Sequence, residues 1–233
     1  MQKPVARILL VEDDANLSFV MKDSLEKRGY QIIHARDGRE ALEKVNQGVY
    51  DLILLDIMLP HVDGLTIAER VRQHNKMIPI FFVSAKSMTE DKLAGFRVGG
   101  DDYITKPFNL EELDFKIKVF LRRSQHLPTQ DPQQVRFQIG RYFFDFRNLS
   151  LKINNQEMTL TLREAEVLLM LCQRQNEVVP RNVLLNHIWG SDDYFLGRSL
   201  DVFISRLRKY LKEDPKVQIA NIHGVGFKLK VDD

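Results

Sequence analysis

The sequence predicts an α/β domain with a doubly wound, five-stranded parallel sheet, followed by a smaller α+β domain of helix-turn-helix type. Three observations support this. The chain has 233 residues, which is long for one compact domain. Its first half alternates apolar runs with amphipathic patterns five times, and a polar segment containing two prolines separates that half from a second half organised differently.

The strand candidates of the first half are short apolar and β-branched runs at 7–12, 31–35, 52–56, 78–84 and 102–105. Helical spacing of apolar residues follows each of them, at 15–28, 37–47, 64–74, 88–98 and 109–123. Successive strand-helix units favour a parallel sheet, because a right-handed crossover needs a helix on the sheet face. The apolar strands fit a sheet that is covered on both faces.

The polar segment predicts a linker at 124–134, and thus domains at 1–123 and 135–233. Strand-like pieces follow, broken at Gly140, Asn148 and the pair Asn154 and Asn155. Helical patterns then occupy 162–175, 180–189 and 197–212. The last stretch, 217–231, is typical of a hairpin that turns at Gly224 to Gly226.

Composition excludes several classes of protein. No apolar run is long enough to cross a bilayer, and acidic residues come too early for a signal peptide, so we expect a cytoplasmic protein without membrane contact. Both halves are nearly neutral, with 19 basic and 19 acidic residues up to 125 and 15 and 13 after it. Any nucleic-acid site must therefore depend on local clustering. The single cysteine, Cys172, excludes an internal disulfide and fits a packed thiol.

Polar residues stand at the carboxyl ends of four predicted strands: Glu12, Asp13 and Asp14, then Asp56, Ser84 and Lys106. These ends meet at one edge of a parallel sheet, where ligands bind. Clustered carboxylates favour a hard cation such as Mg2+, and a lysine and a hydroxyl nearby suit a phosphoryl group. Asp56 could then form an aspartyl phosphate. Capping of the next helix is the alternative, which we favour for Asp14 and not for Asp56.

The motifs "LLVEDD", "LILLDIMLPHVDG", "FVSA" and "GGDDYITKPF" follow one another at spacings that resemble a two-component receiver domain over residues 7–123. The resemblance implies a flavodoxin-like fold in which a sensor histidine kinase phosphorylates Asp56. It also implies a cis bond between Lys106 and Pro107. The remaining implied roles are Mg2+ binding by Glu12, Asp13, Asp56 and the backbone carbonyl of Met58, and switching by Ser84, Lys106 and Tyr103.

A phosphohydrolase with an aspartate nucleophile is an alternative on a similar sheet. Such an enzyme usually carries a second carboxylate two residues after the nucleophile, as general acid. Met58 occupies that position here. We therefore expect a phosphorylated switch and not an enzyme that turns over external phosphoesters.

The helical pattern 197–212 carries a basic set opposite an apolar stripe, with Arg198, Arg206, Arg208, Lys209 and Lys212 as its basic residues. A helix-turn-helix followed by a glycine-pivoted hairpin fits a major-groove recognition helix and its wing. Together with "LTLREAEVLLML", "NHIWG" and "NIHGVGFKL", residues 135–233 resemble the winged-helix domain of the OmpR/PhoB subfamily.

This second resemblance implies binding to double-stranded promoter DNA. The implied base contacts come from Arg206, Val202 and Ser199, and the implied phosphate contacts from Arg198, Arg208 and Lys209. His223 stands in the wing where the family often has arginine, and Phe227 where it often has tyrosine. The loop 190–197, beside Trp189, would contact RNA polymerase, although Trp189 is at least as well explained as a core anchor.

The resemblance also implies a homodimer on activation, with crossed ion pairs between Lys92 and Glu112 and between Asp102 and Lys116. A third family pair is replaced by two basic residues, Arg97 and Lys118, and Phe115 stands where a small residue is common. Two alternatives stay open. The departure at Arg97 would fit a protein that binds DNA largely without phosphorylation, and an idle basic helix would fit a receiver that acts only through protein contacts.

Overall fold

The computed structural model describes residues 4–125, 135–190 and 194–232, which fall into two compact units on either side of residue 125. The first unit alternates strands and helices, in the order β1 (Arg7–Val11), α1 (Ala15–Glu26), β2 (Gln31–Ala35), α2 (Gly38–Gln47), β3 (Leu52–Leu55), α3 (Gly64–His74), β4 (Ile80–Ser84), α4 (Thr89–Arg97), β5 (Asp102–Thr105) and α5 (Leu110–Gln125).

The five strands form one parallel sheet in the order β2-β1-β3-β4-β5. Every residue of β3 and β4 is buried, because helices cover both faces of the sheet. The predicted doubly wound fold is confirmed, and the predicted cis peptide between Lys106 and Pro107 is present. The reversal of strand order between β1 and β3 opens a crevice at the carboxyl edge of the sheet.

Aspartates begin the first three helices and set where each one starts. Asp14 accepts hydrogen bonds from the N–H groups of Asn16 and Leu17, which confirms its predicted capping role. These bonds lower the pKa of the Asp14 carboxyl, since they stabilise its charged form. Asp37 and Asp63 cap α2 and α3 in the same manner.

The second unit begins with an antiparallel meander, β6 (Arg136–Ile139), β7 (Tyr142–Asp145), β8 (Ser150–Ile153) and β9 (Gln156–Thr159). The predicted breaks are turns, at which Gly140 and Asn154 have positive φ. Then come α6 (Leu162–Cys172), β10 (Val178–Pro180), α7 (Arg181–Trp189), α8 (Tyr194–Tyr210), a 3-10 turn (Leu211–Glu213), β11 (Val217–Ile222) and β12 (Gly226–Val231).

The hairpin of β11 and β12 gains a third strand, β10, which the sequence prediction did not include. The three helices pack on one another, and Cys172 at the end of α6 is buried, which raises the pKa of its thiol. Helix α5 runs through Gln125, two residues beyond its predicted end. The rest of the predicted linker, 126–134, lies outside the described residues, so the domain boundaries stay predictions.

Candidate functional site

The acidic pocket lies where β1 and β3 end side by side. These strands pair in parallel up to Val11 and Leu55, so Glu12 and Asp56, the next residue after each strand, lie side by side. Glu12, Asp13 and Asp56 each offer a carboxylate oxygen within 4.8 Å of the other two. Glu12 and Asp56 are buried, and Asp13 is exposed. Three oxygen ligands at this separation suit Mg2+, with positions left for water and a phosphoryl oxygen.

Lys106 joins two of these carboxylates. Its Nζ donates to Asp56 Oδ2 at 2.6 Å and to Glu12 Oε1 at 2.8 Å. Burial raises the pKa of Glu12, and the ion pair with Lys106 opposes that rise. Burial works against a charged Lys106, but its hydrogen bonds to Asp56 and Glu12 outweigh the effect and raise its pKa. The lysine is therefore a fixed positive charge inside an acidic crevice.

The backbone after β3 orients the Asp56 carboxylate. Asp56 Oδ1 accepts a hydrogen bond from the Met58 N–H at 2.9 Å, while Oδ2 faces Lys106. Gly64, the first residue of α3, packs so closely that a Cβ there would lie 2.1 Å from the Asp56 carbonyl oxygen. The Met58 side chain has no titratable group, so it supplies no acid or base, and it is 57% exposed.

Ser84 and Tyr103 lie on the two neighbouring strands β4 and β5. Ser84 is fully buried, and its Oγ accepts a long hydrogen bond, 3.4 Å, from the Lys86 N–H. Tyr103 donates its hydroxyl proton to the Lys86 carbonyl at 2.7 Å, and burial raises its pKa to about 12. Both side chains therefore contact the loop that follows β4, which links the pocket to α4.

The second candidate site is the exposed side of α8. Arg198, Arg208 and Lys209 are exposed there and Val202 is half-buried, as expected for residues that face DNA. Lys212 lies beyond α8 in the 3-10 turn, beside Glu213. Two other predicted residues point elsewhere. Ser199 is only 1% exposed, because it lies beside the packed stripe of the helix, and this burial does not favour its predicted contact with a base.

Arg206 also departs from its predicted place. Its Nη1 contacts Glu164 Oε1 at 3.1 Å, and only 19% of its side chain is exposed. Glu164 is 1% exposed and belongs to α6, so this ion pair joins two helices of the unit. The sequence showed Arg206 as one of several basic residues on α8, and nothing in that pattern identified Glu164 as its partner.

The wing is the turn between β11 and β12. Gly224 has a φ of +72°, and His223 beside it is exposed. Phe227 is buried under the Arg181 guanidinium, so it serves as core and not as a phosphate contact. Trp189 packs on Phe203 with ring centroids 5.7 Å apart, which supports its interpretation as a core anchor. Residues 191–193 of the adjoining loop lie outside the described residues.

The predicted dimer residues lie on α4, β5 and α5. Asp102 and Lys116 form an ion pair within the chain, at 3.2 Å, although the sequence resemblance implied that they pair across a dimer. Glu112 is exposed, and Lys92 lies over the Tyr103 ring at 5.9 Å. Lys118 pairs with Asp114 on its own helix, and Phe115 is 64% exposed beside them.

A parallel-sheet unit with an acidic, lysine-bridged pocket, followed by a winged helix-turn-helix, defines a receiver joined to a DNA-binding domain. Comparisons with known proteins agree. The family model "Response regulator receiver domain" matches residues 8–118, and "Transcriptional regulatory protein, C terminal" matches residues 155–229. The chain belongs to the two-component response regulators of the OmpR/PhoB subfamily. It is thus a phosphorylation-regulated transcription factor, which implies a sensor kinase and DNA as partners.

Similar proteins match along nearly the whole chain. The transcriptional regulatory protein RprY of Bacteroides fragilis is 43% identical over 96% of this chain and 94% of its own length. The response regulator ArlR of Staphylococcus aureus is 36% identical over 97% of this chain and 100% of its own length. Among solved structures, a single-residue mutant of RitR has a TM-score of 0.75 at 26% identity, over 97% of this chain and 99% of its own. DrrB of Thermotoga maritima, an OmpR/PhoB homologue, has a TM-score of 0.51 at 28% identity, over 96% of this chain and 98% of its own.

No helix in the described part of the chain has the length and apolar character needed to span a membrane.

Proposed function

We propose that Asp56 accepts a phosphoryl group from a sensor histidine kinase, and that the receiver then favours a dimer which binds promoter DNA. The observation that carries this proposal is Lys106, whose Nζ lies against Asp56 Oδ2 and Glu12 in a carboxylate cluster. A structural ion pair would need one acid. Three acids, a lysine and a buried hydroxyl at one sheet edge instead fit the charge distribution of a phosphoryl group.

The chemistry needs a carboxylate nucleophile and charge compensation. An Asp56 oxygen attacks the phosphorus of the kinase phosphohistidine; the P–O bond forms as the P–N bond breaks, and the imidazole nitrogen keeps the electron pair. Lys106 pairs with a phosphoryl oxygen after transfer. Glu12, Asp13, Asp56 and the Met58 carbonyl are the proposed ligands of Mg2+, which would neutralise charge on the phosphoryl oxygens.

Ser84 and Tyr103 are the proposed switch. The Ser84 hydroxyl would move toward the phosphoryl group, and the space it vacates would admit the Tyr103 ring. Tyr103 must then give up its hydrogen bond to Lys86, which alters the loop before α4. Met58 occupies the position two residues after Asp56, where a phosphohydrolase would carry a general acid, so we propose a long-lived phosphoryl group and no turnover of external phosphoesters.

The further partners follow from this proposal. Receiver dimers would use α4, β5 and α5. Lys92 of one copy would pair with Glu112 of the other, and Asp102 of one copy with Lys116 of the other, in place of the pair that these two form within one chain. DNA would be held by Arg198, Val202, Arg208, Lys209 and His223. RNA polymerase would contact the segment 190–197, the last part of which, from Tyr194, is the start of α8. Kinase phosphodonor and promoter DNA are both found in the cytoplasm, where we propose that the protein works.

The experiment that tests this function is phosphorylation with phosphoramidate, a small donor with a P–N bond, followed by intact mass measurement. We expect one added phosphoryl group that needs Mg2+ and is lost in Asp56→Asn. Asp51→Asn is the matched control, because Asp51 lies just before β3, at its opposite end, and is exposed. Phosphorylation of Asp56→Asn at the wild-type rate would contradict the proposal.

A further inference from the structure

The exposed side of α8 is defined by its periodicity. Its solvent-facing residues are three, four and seven positions apart, as expected for one face of a helix. They are Arg198, Asp201, Ser205, Arg208 and Lys209, with the half-buried Val202 beside them. The opposite face is buried and consists of Leu200, Phe203, Ile204 and Leu207. Asp201 and Ser205, one turn apart, lie near the middle of the exposed side, with basic residues at both ends.

Arg206 does not belong to this exposed side. It lies on the flank of α8, against Glu164. Glu164 also accepts hydrogen bonds from the Thr161 N–H at 2.9 Å and from the Tyr210 hydroxyl at 3.4 Å, so it serves three partners from a buried position. Withdrawal of Arg206 toward a base would leave a buried carboxylate without its cation, which is strongly unfavourable.

Asp201 is held in a defined position by a residue of another helix. Arg181, the first residue of α7, donates from Nη2 to Asp201 Oδ2 at 2.7 Å and also to the Gly197 carbonyl. An acid that faces DNA is repelled by phosphates, so a free aspartate here would weaken binding to every sequence. The ion pair with Arg181 offsets this repulsion and fixes the carboxylate as a hydrogen-bond acceptor.

We propose that Asp201 and Ser205 are the sequence-reading polar side chains of α8, and that Arg206 is a packing residue. This inference rests on the proposed function, in which α8 enters the major groove. In that groove cytosine presents its N4 amino group as a donor, which a carboxylate accepts. Asp201 therefore selects cytosine, and Ser205 reads a neighbouring base pair through its hydroxyl. Val202 lies between them and provides an apolar contact.

The test is selection of DNA sites from a random pool by the full-length phosphorylated protein. We expect Asp201→Asn to lose the preference for cytosine at one position per half-site, with roughly fivefold less discrimination between cytosine and the other bases. Asp201→Asn should also bind unrelated DNA more tightly, since a negative charge is removed. Ser205→Ala should weaken the base preference at one adjacent position of the DNA site. Asp201 and Ser205 are both exposed, so we expect both variants to fold.

Arg206→Gln and Arg206→Lys are the matched variants on the same helix. We expect both to retain the wild-type preferred sequence, and Arg206→Gln to melt at a lower temperature because it leaves Glu164 uncompensated. A changed base preference in Arg206→Lys, or an unchanged one in Asp201→Asn and Ser205→Ala, would overturn the inference. Failure of the wild-type protein to enrich any sequence would instead contradict the proposed function.

Discussion

Glu164 serves both a helix end, together with Thr161, and a contact between two helices. The two side chains form a capping box at the start of α6, in which each bonds to the backbone N–H of the other. The Glu164 carboxylate also accepts a hydrogen bond from Arg206 of α8. The start of α6 and the position of α8 therefore depend on one carboxylate.

The capping box gives a stability prediction. Thr161→Ala removes the side-chain acceptor and is expected to lower the free energy of unfolding by about 1 kcal/mol. Thr161→Ser keeps the hydroxyl and should lose much less. Urea unfolding followed by the fluorescence of Trp189, the only tryptophan of the chain, reports on this unit. Equal losses in the two variants would show that the methyl group matters and the cap does not.

Asp214 gives a prediction about pH. Its carboxylate accepts hydrogen bonds from the Arg141 and Lys216 N–H groups, and these bonds lower its pKa below the ordinary value of 3.8. A carboxyl whose folded pKa is lowered stabilises the protein above its unfolded pKa, and this contribution is lost as the pH falls through the folded pKa. Asp214→Asn removes the titrating group.

We therefore expect the wild-type protein to lose more stability than Asp214→Asn when the pH falls from about 5 to below 3.8. The measurement is the urea midpoint of Trp189 fluorescence at several pH values. Asp232→Asn is a control, because Asp232 is an exposed acid near the C-terminus of the same unit. Parallel pH profiles for all three proteins would contradict the assignment.

The start of α3 is packed directly against the end of β3. Gly64→Ala would place a Cβ 2.1 Å from the Asp56 carbonyl oxygen, so backbone must move. We expect a loss of about 1–3 kcal/mol of stability and slower phosphorylation of Asp56. Gly197→Ala in α8 is the control, since its nearest contact is 3.4 Å and alanine favours helix. It should be neutral or stabilising, and a neutral Gly64→Ala would refute the packing argument.

The elements also show what the sequence could predict. Five strands and their helices were predictable because burial on both faces makes each parallel strand a continuous apolar run. Strand β10 was missed, because three residues ending in a proline carry no periodicity and their pairing partner, β12, lies far along the chain. The pocket residues were predictable because each stands at the carboxyl end of a strand or directly after it. The role of Arg206 could not be predicted, since its contact with Glu164 depends on how α6 packs against α8.

The whole molecule depends on coupling between the receiver and the DNA-binding unit, for which a receiver dimer is the proposed route. We expect beryllofluoride, a phosphoryl mimic, to shift the protein from monomer to dimer in sedimentation velocity. Linking two DNA-binding units raises affinity for repeated half-sites without any new base contact. A monomer in both states would favour DNA binding without phosphorylation.

Phe115→Ala probes the predicted dimer surface. Phe115 is 64% exposed, so its removal should leave the stability of the monomer nearly unchanged and weaken the beryllofluoride-induced dimer. Phe19→Ala is the matched control, because Phe19 is 71% exposed on α1, outside the proposed surface. Equal dimer affinities in Phe115→Ala and the wild type would place the interface elsewhere.

The burial of Cys172 makes the protein well suited to site-specific labelling. Its thiol is 4% exposed, and its raised pKa keeps it protonated and unreactive at neutral pH. A cysteine introduced at an exposed position of either unit would therefore react with a maleimide dye while the native cysteine stays unmodified. Two such dyes, one on each unit, would report changes in the distance between the units upon phosphorylation of Asp56.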